Sequence, residues 1–151
     1  MIGVLLISHG KMAEGVKDSV RLVAGEYESL DTASLVAGQD FDRFRQDVVS
    51  KIKALNQGGG VLVFVDLLGA SPYNAAMLSF QELQKMGVPI RVITGMNLPM
   101  VIEALAERND MPLEELAQSM TEFGRESVQN SVADMLAAAK AENGNEDDGD
   151  Y

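Results

Sequence analysis

Only one imidazole is available for chemistry in this chain: His9, the sole histidine, stands at the end of the apolar stretch Ile2-Gly3-Val4-Leu5-Leu6-Ile7-Ser8 and is followed by Gly10. An imidazole is the usual nucleophile or proton carrier near neutral pH. A carboxylate closes a second apolar run, Val61 to Asp66. Held against one ring nitrogen, such a carboxylate fixes the tautomer and stabilises positive charge on the ring. Just beyond it, Ser71-Pro72 has the form of a helix start, with a capping hydroxyl and then proline at the first helical position. The unpaired N–H groups of a helix N-terminus favour an anion. Brought together, these groups describe a site that takes a phosphoryl group on the free ring nitrogen, with adjacent donors holding its oxygens. Taken singly, each has an ordinary structural reading: a histidine ending a strand, an aspartate capping a loop, a common helix start.

Other chemistries fit the residues less well. A receiver domain would use Asp66 as phosphoacceptor, but it needs acidic residues after the first strand to hold magnesium, and that position reads Ser8-His9-Gly10. A flavin-phosphate loop rich in Ser and Thr is replaced by Gly10-Lys11-Met12-Ala13. No Gly-x-Ser-x-Gly elbow is present for a hydrolase triad. With one histidine and no cysteine, a histidine-based metal site is not expected. The triple glycine Gly58-Gly59-Gly60 precedes a strand, whereas phosphate loops follow one, so it reads as a connector.

The elements that must position His9 and Asp66 follow from the apolar periodicity. The first strand leads into a helix marked by Met12, Ala13, Val16, Val20 and Val23, with a stop at Gly25. A weaker strand spans Asp31 to Val36; Asp40 then N-caps a helix with the stripe Phe41, Phe44, Val48, Val49, Ile52 and Leu55. Strand Val61–Asp66, the helix opened by Ser71 and strand Val88–Thr94 come next, followed by a helix from Pro99 to about Glu107. Leu113, Leu116, Ala117, Met120 and Phe123 share a helical face, with a short strand near Gly124 to Val128 left open. This alternation predicts an α/β fold: a doubly wound, mostly parallel sheet of order 2-1-3-4 with helices on both faces. In that order the first and third strands are neighbours, so His9 and Asp66 end on one edge with the Ser71 helix pointing at both.

Composition narrows the setting. The length suits one domain, and no apolar run nears the ~20 residues needed to span a bilayer. The absence of cysteine fits a reducing cytoplasm, and Ile2 to Ile7 is too short for an export signal. A formal charge of −11 argues against nucleic acid as partner. Residues 1–141 are expected to form the domain. Residues 142–151, with Glu142, Glu146, Asp147, Asp148 and Asp150 and no base, are expected to be an acidic disordered tail.

Three segments carry a family resemblance. Ser8-His9-Gly10, the run Val65-Asp66-Leu67-Leu68-Gly69-Ala70-Ser71-Pro72-Tyr73-Asn74-Ala75-Ala76, and Gly95-Met96-Asn97-Leu98-Pro99-Met100 resemble the IIA components of the mannose family of the bacterial phosphotransferase system, in the same order. Gly124-Arg125-Glu126 is similar to a further segment near that family's C-terminus. The resemblance implies that His9 is phosphorylated by the phosphocarrier protein HPr and passes the group to a IIB component. It implies that Asp66 hydrogen-bonds His9, and that Ser71, with Gly69 and Ala70 before it, lies near the phosphoryl group. Asn97 and Leu68 would border the site. No cofactor or metal is implied. A homodimer is, in which a C-terminal strand can be exchanged, with membrane components IIC and IID as indirect associates. Leu67, Leu68, Met96 and Leu98 are candidates for an apolar collar around the phosphoryl group, or else for core. Two alternatives stay open: a phosphohistidine subunit of a dihydroxyacetone-kinase-type system or a regulatory module, and a module that binds a small anion at the Ser71 helix without covalent phosphate.

Overall fold

The computed structural model describes residues 1–146. Strands β1 (Gly3–His9), β2 (Leu30–Leu35), β3 (Val61–Val65) and β4 (Ile90–Ile93) form one sheet of order β2-β1-β3-β4, with every neighbouring pair parallel. Helices α1 (Met12–Ala24), α2 (Phe41–Leu55) and α3 (Ser71–Lys85) make the crossovers, and α4 (Leu98–Glu107), α5 (Leu113–Glu126) and α6 (Ser131–Glu146) follow β4. The doubly wound order expected from the sequence is the order found.

Strand periodicity divides the core into two layers. Val4 and Leu6 of β1 and Leu62 and Phe64 of β3 face one side, where they meet Val20 of α1, Val101 of α4 and Leu116 of α5. Leu5 and Ile7 of β1 and Val61, Val63 and Val65 of β3 face the other, against Phe44 and Ile52 of α2 and Leu83 of α3. Successive strand side chains point to opposite faces, so a strand covered on both sides must be apolar at every position. That is why β1 and β3 read as unbroken apolar runs. Burial of each such side chain contributes about 1.5–3 kcal/mol.

One local expectation is corrected, and one point left open is decided. Ser71 does not cap α3: Ala70 is the N-cap residue, with extended backbone and no side-chain cap bond, and Ser71 is the first helical residue. Gly124 to Val128 holds no strand, because α5 continues to Glu126 and buries Gly124. Helix α6 runs on to Glu146, and the rest of the expected acidic tail, 147–151, lies outside the described residues. No strand follows Ile93 among the described residues, so the exchangeable C-terminal strand has no counterpart there.

At the pole opposite His9, Arg108 closes the fold. It is 4% exposed, and its guanidinium donates to the carbonyls of Ile2, Ser29 and Glu28 and lies over the Tyr27 ring. Burial lowers its pKa from the ordinary arginine value, with Glu28 opposing that shift.

Candidate active site

The register places the two candidate groups together. Ile7 of β1 pairs with Val65 of β3, and the Asp66 N–H donates to the Ile7 carbonyl at 3.2 Å, so the chain continues the ladder one residue beyond β3. His9 and Asp66 therefore emerge side by side at the carboxyl edge of the sheet. One carboxylate oxygen of Asp66, Oδ2, accepts the His9 backbone N–H at 2.9 Å and lies 2.7 Å from His9 Nδ1. Two contacts from one residue to one oxygen fix both the backbone and the ring. With Asp66 ionised, Nδ1 carries the ring proton and Nε2 keeps its lone pair. The His9 side chain is 47% exposed and that of Asp66 only 11%, so the held nitrogen faces the protein and the imidazole remains reachable. The second Asp66 oxygen, Oδ1, is buried with no protein partner.

The backbone around the pair is fixed from several sides. Gly10 donates its N–H to the Leu35 carbonyl at 2.8 Å and has φ +53°, a conformation that glycine adopts without strain. Gly69 turns the loop after β3 with φ +80°. Asn74 returns to that loop, its backbone N–H donating to the Ala70 carbonyl at 2.9 Å and its side-chain amide to the Gly69 carbonyl at 3.4 Å. Ser71 is half-buried at the start of α3, its hydroxyl uncommitted to the cap.

The candidates for the rim and collar separate. Leu67 and Leu68, directly after Asp66, are 58% and 67% exposed. Met96 is buried in the core and Leu98 packs against it, so these two are structural. Asn97 is the N-cap of α4: its Oδ1 accepts the Met100 N–H at 3.1 Å, while its Nδ2 donates to the Gly124 carbonyl at 3.2 Å. It ties the loop after β4 to α5, in a groove of about 540 Å³ that begins at Leu68 and runs past Tyr73, Met77, Val92 and Val128.

Two further residues had no assigned role in the sequence reading. Ser8 is fully buried and accepts a hydrogen bond from the Ala13 N–H; a hydroxyl inside an otherwise aliphatic strand was the available signal. Arg108 falls on the buried face of α4 with Val101, Ala104 and Leu105, a cation in an apolar register. Among the described residues no group of three or more His, Cys, Asp or Glu side chains could hold a metal ion.

The arrangement can accept a group on an oriented imidazole, and α3, which begins five residues after Asp66, presents the kind of helix N-terminus that favours anionic oxygens. Residues 3–121 match the family model described as PTS system fructose IIA component. The mannose-specific EIIAB component of Escherichia coli K12 is 31% identical over 84% of this chain, which spans 38% of that protein's length. The fructose-specific EIIA component of Bacillus subtilis is 28% identical, the match covering 85% of this chain and 86% of that protein. Among solved structures, a phosphotransferase system EIIA of Streptococcus agalactiae superposes with a TM-score of 0.78 at 25% identity, covering 88% of this chain and 99% of that one. A mannose/sorbose-specific IIA subunit of Enterococcus faecalis gives 0.75 at 28% identity, over 85% and 93% of the two chains. Sequence pattern, sheet order and these matches agree: the chain belongs to the mannose-type IIA family of the phosphotransferase system.

Proposed function

We propose that this protein is a sugar-transport phosphocarrier, taking a phosphoryl group from HPr onto His9 and passing it to a IIB component. The observation that carries the reading is the His9–Asp66 pair, 2.7 Å apart at the carboxyl edge of the sheet with the imidazole half exposed. Nε2 attacks phosphorus as the bond from phosphorus to the donor's imidazole nitrogen breaks. The proton on Nδ1 stays in place, and the Asp66 carboxylate balances the positive charge that grows on the ring. Transfer back out to the IIB component is the same displacement with the roles reversed. Such transfers depend mainly on alignment and charge stabilisation. Ser71, Gly69 and Ala70 at the start of α3 receive the phosphoryl oxygens in this proposal. Leu67 and Leu68 form the part of the collar that excludes water when a partner docks.

In this reading the protein works in the cytoplasm, in indirect association with the membrane components IIC and IID. No helix among the described residues is long and apolar enough to cross a membrane. A homodimer is the proposed assembly. In its support, β4 is an edge strand, the groove beside it is largely apolar, and α6 carries the exposed side chains Val132, Met135 and Leu136. The sugar-specific relatives weigh against the kinase-subunit alternative.

Incubation with phosphoenolpyruvate, enzyme I and HPr, followed by intact-mass measurement, tests the function. The expected product carries one acid-labile phosphoryl group that is absent in His9→Ala. A wild-type chain left unmodified would sink the proposal.

A further inference from the structure

The start of α1 is built in an unusual way. Its N-cap residue is Lys11, whose side chain makes no cap hydrogen bond. The N–H that an N-cap side chain would ordinarily satisfy, at Ala13, instead donates to Ser8 Oγ at 2.8 Å. Ser8 lies three residues before the N-cap, inside β1, and is fully buried, as is Ala13. A strand hydroxyl thus caps the following helix across the segment His9-Gly10-Lys11. The Ser8 O–H also lies 3.4 Å from the Gly10 carbonyl. Its register partner on β2, Ser34, donates to the Glu14 carboxylate at 3.1 Å. Two serines at one level of the sheet therefore hold the first turn of α1, one from a buried position and one from a half-buried one.

From Val4 to Ile7 every side chain of β1 is aliphatic, and a buried hydroxyl costs stability unless it is hydrogen-bonded. Here the bond spans the imidazole-bearing segment itself. His9 reaches Asp66 through both its backbone and its ring, so its geometry depends on where that segment is pinned. We propose that Ser8 is a positioning residue for His9: by accepting the Ala13 N–H, its hydroxyl holds the turn between β1 and α1 and keeps Nδ1 on Asp66 and Nε2 free. The kinetic part of this inference rests on His9 being the phosphoacceptor; the geometric part does not.

The test uses Ser8→Ala, Ser8→Cys and Ser8→Thr, with Ser34→Ala as comparator. Nitrogen-15 NMR of the unphosphorylated protein reads the His9 tautomer. Rates of phosphorylation are taken with phospho-HPr and with phosphoramidate, a small donor that needs no docking surface. Loss of the hydroxyl in Ser8→Ala is expected to give a mixed tautomer and to slow both donors by about tenfold to a hundredfold, the scale of a small misplacement of a reacting group. Ser8→Cys, close in size but a poor acceptor, is expected to behave as Ser8→Ala, and Ser8→Thr and Ser34→Ala to keep the wild-type tautomer. A folded Ser8→Ala with wild-type tautomer and rates overturns the proposal. So does failure of both Ser8→Ala and Ser8→Cys to fold, which would assign the hydroxyl to stability alone. If wild type takes no phosphoryl group from either donor, the proposed function falls, while the tautomer comparison still decides the role of Ser8.

Discussion

At the scale of the residue, the site depends on a division of labour within one imidazole: Nδ1 is held and Nε2 is offered. Asp66 Oδ2 does the holding, with contacts at 2.7 and 2.9 Å to ring and backbone of the same residue. Asp66→Ala is expected to slow phosphoryl transfer by about 10²- to 10⁴-fold, because the ring loses both its tautomer and its charge partner. The same change leaves the His9 N–H without its acceptor, a loss of about 1 kcal/mol in a denaturant titration. Equal losses of transfer and folding would make Asp66 a structural residue. Arg108 gives the opposite pattern. Arg108→Lys cannot reproduce the donations to Ile2, Ser29 and Glu28, and is expected to cost about 1–3 kcal/mol of stability with the transfer rate unchanged, since it lies at the far pole. His9, Asp66 and Ser71 were legible in the sequence because each ends or begins an element. Ser8 and Arg108 were not, because Ser8 caps a helix from three residues before its N-cap and Arg108 reaches carbonyls of segments distant in the chain, neither of which is a recognisable sequence position.

At the scale of the element, β1 and β3 were readable as continuous apolar runs, and Asp40 as the N-cap of α2, whose side chain accepts the Arg43 N–H. The two helix ends were less legible, each for its own reason. Proline at the second position of α3 fixed where the helix begins but not which residue before it would cap, and Ala70 does so through its backbone alone. Gly124, near which a short strand stayed open, lies inside α5 at a packing position: a Cβ there would run into the flexible end of the Met100 side chain of α4. Helix α4 has an electrostatic fault. Glu107 has its carboxyl pKa raised above the ordinary value, first by desolvation and then by Glu103 one turn earlier and by Asp110. A carboxylate whose pKa is raised on folding destabilises the fold once pH exceeds the unfolded value. Glu107→Gln is therefore expected to raise Tm at pH 7, with the gain vanishing as pH falls below the ordinary carboxyl pKa. Equal gains at both pH values would contradict the electrostatic cause. On the loop after β3, Leu68→Asp is expected to slow transfer from phospho-HPr but not from phosphoramidate, because only the protein donor needs the collar. Equal slowing would place Leu68 in the chemistry itself.

At the scale of the molecule, the sheet order was legible because alternating strand and helix patterns leave few topologies once right-handed crossovers are imposed. The C-terminus was not. Residues 131–144 are exposed throughout, so neither a core-facing stripe nor burial marks what they do in a single chain, and composition alone suggested disorder for the last of them. The net charge of −11 acts at this scale as well. Encounter with a basic donor is expected to slow by about tenfold or more between low and high ionic strength, while the bound-state transfer step stays constant. Stopped-flow measurement at several salt concentrations separates the two. A salt-independent encounter rate would remove electrostatic steering from the account.

The claim that Asp66 holds one nitrogen so that the other can react is tested most directly by where the phosphoryl group sits. Phosphorus-31 and nitrogen-15 NMR of the phosphorylated protein should find it on Nε2 of His9, with Nδ1 still protonated. A phosphoryl group on Nδ1, or an acyl phosphate on Asp66, would contradict the account.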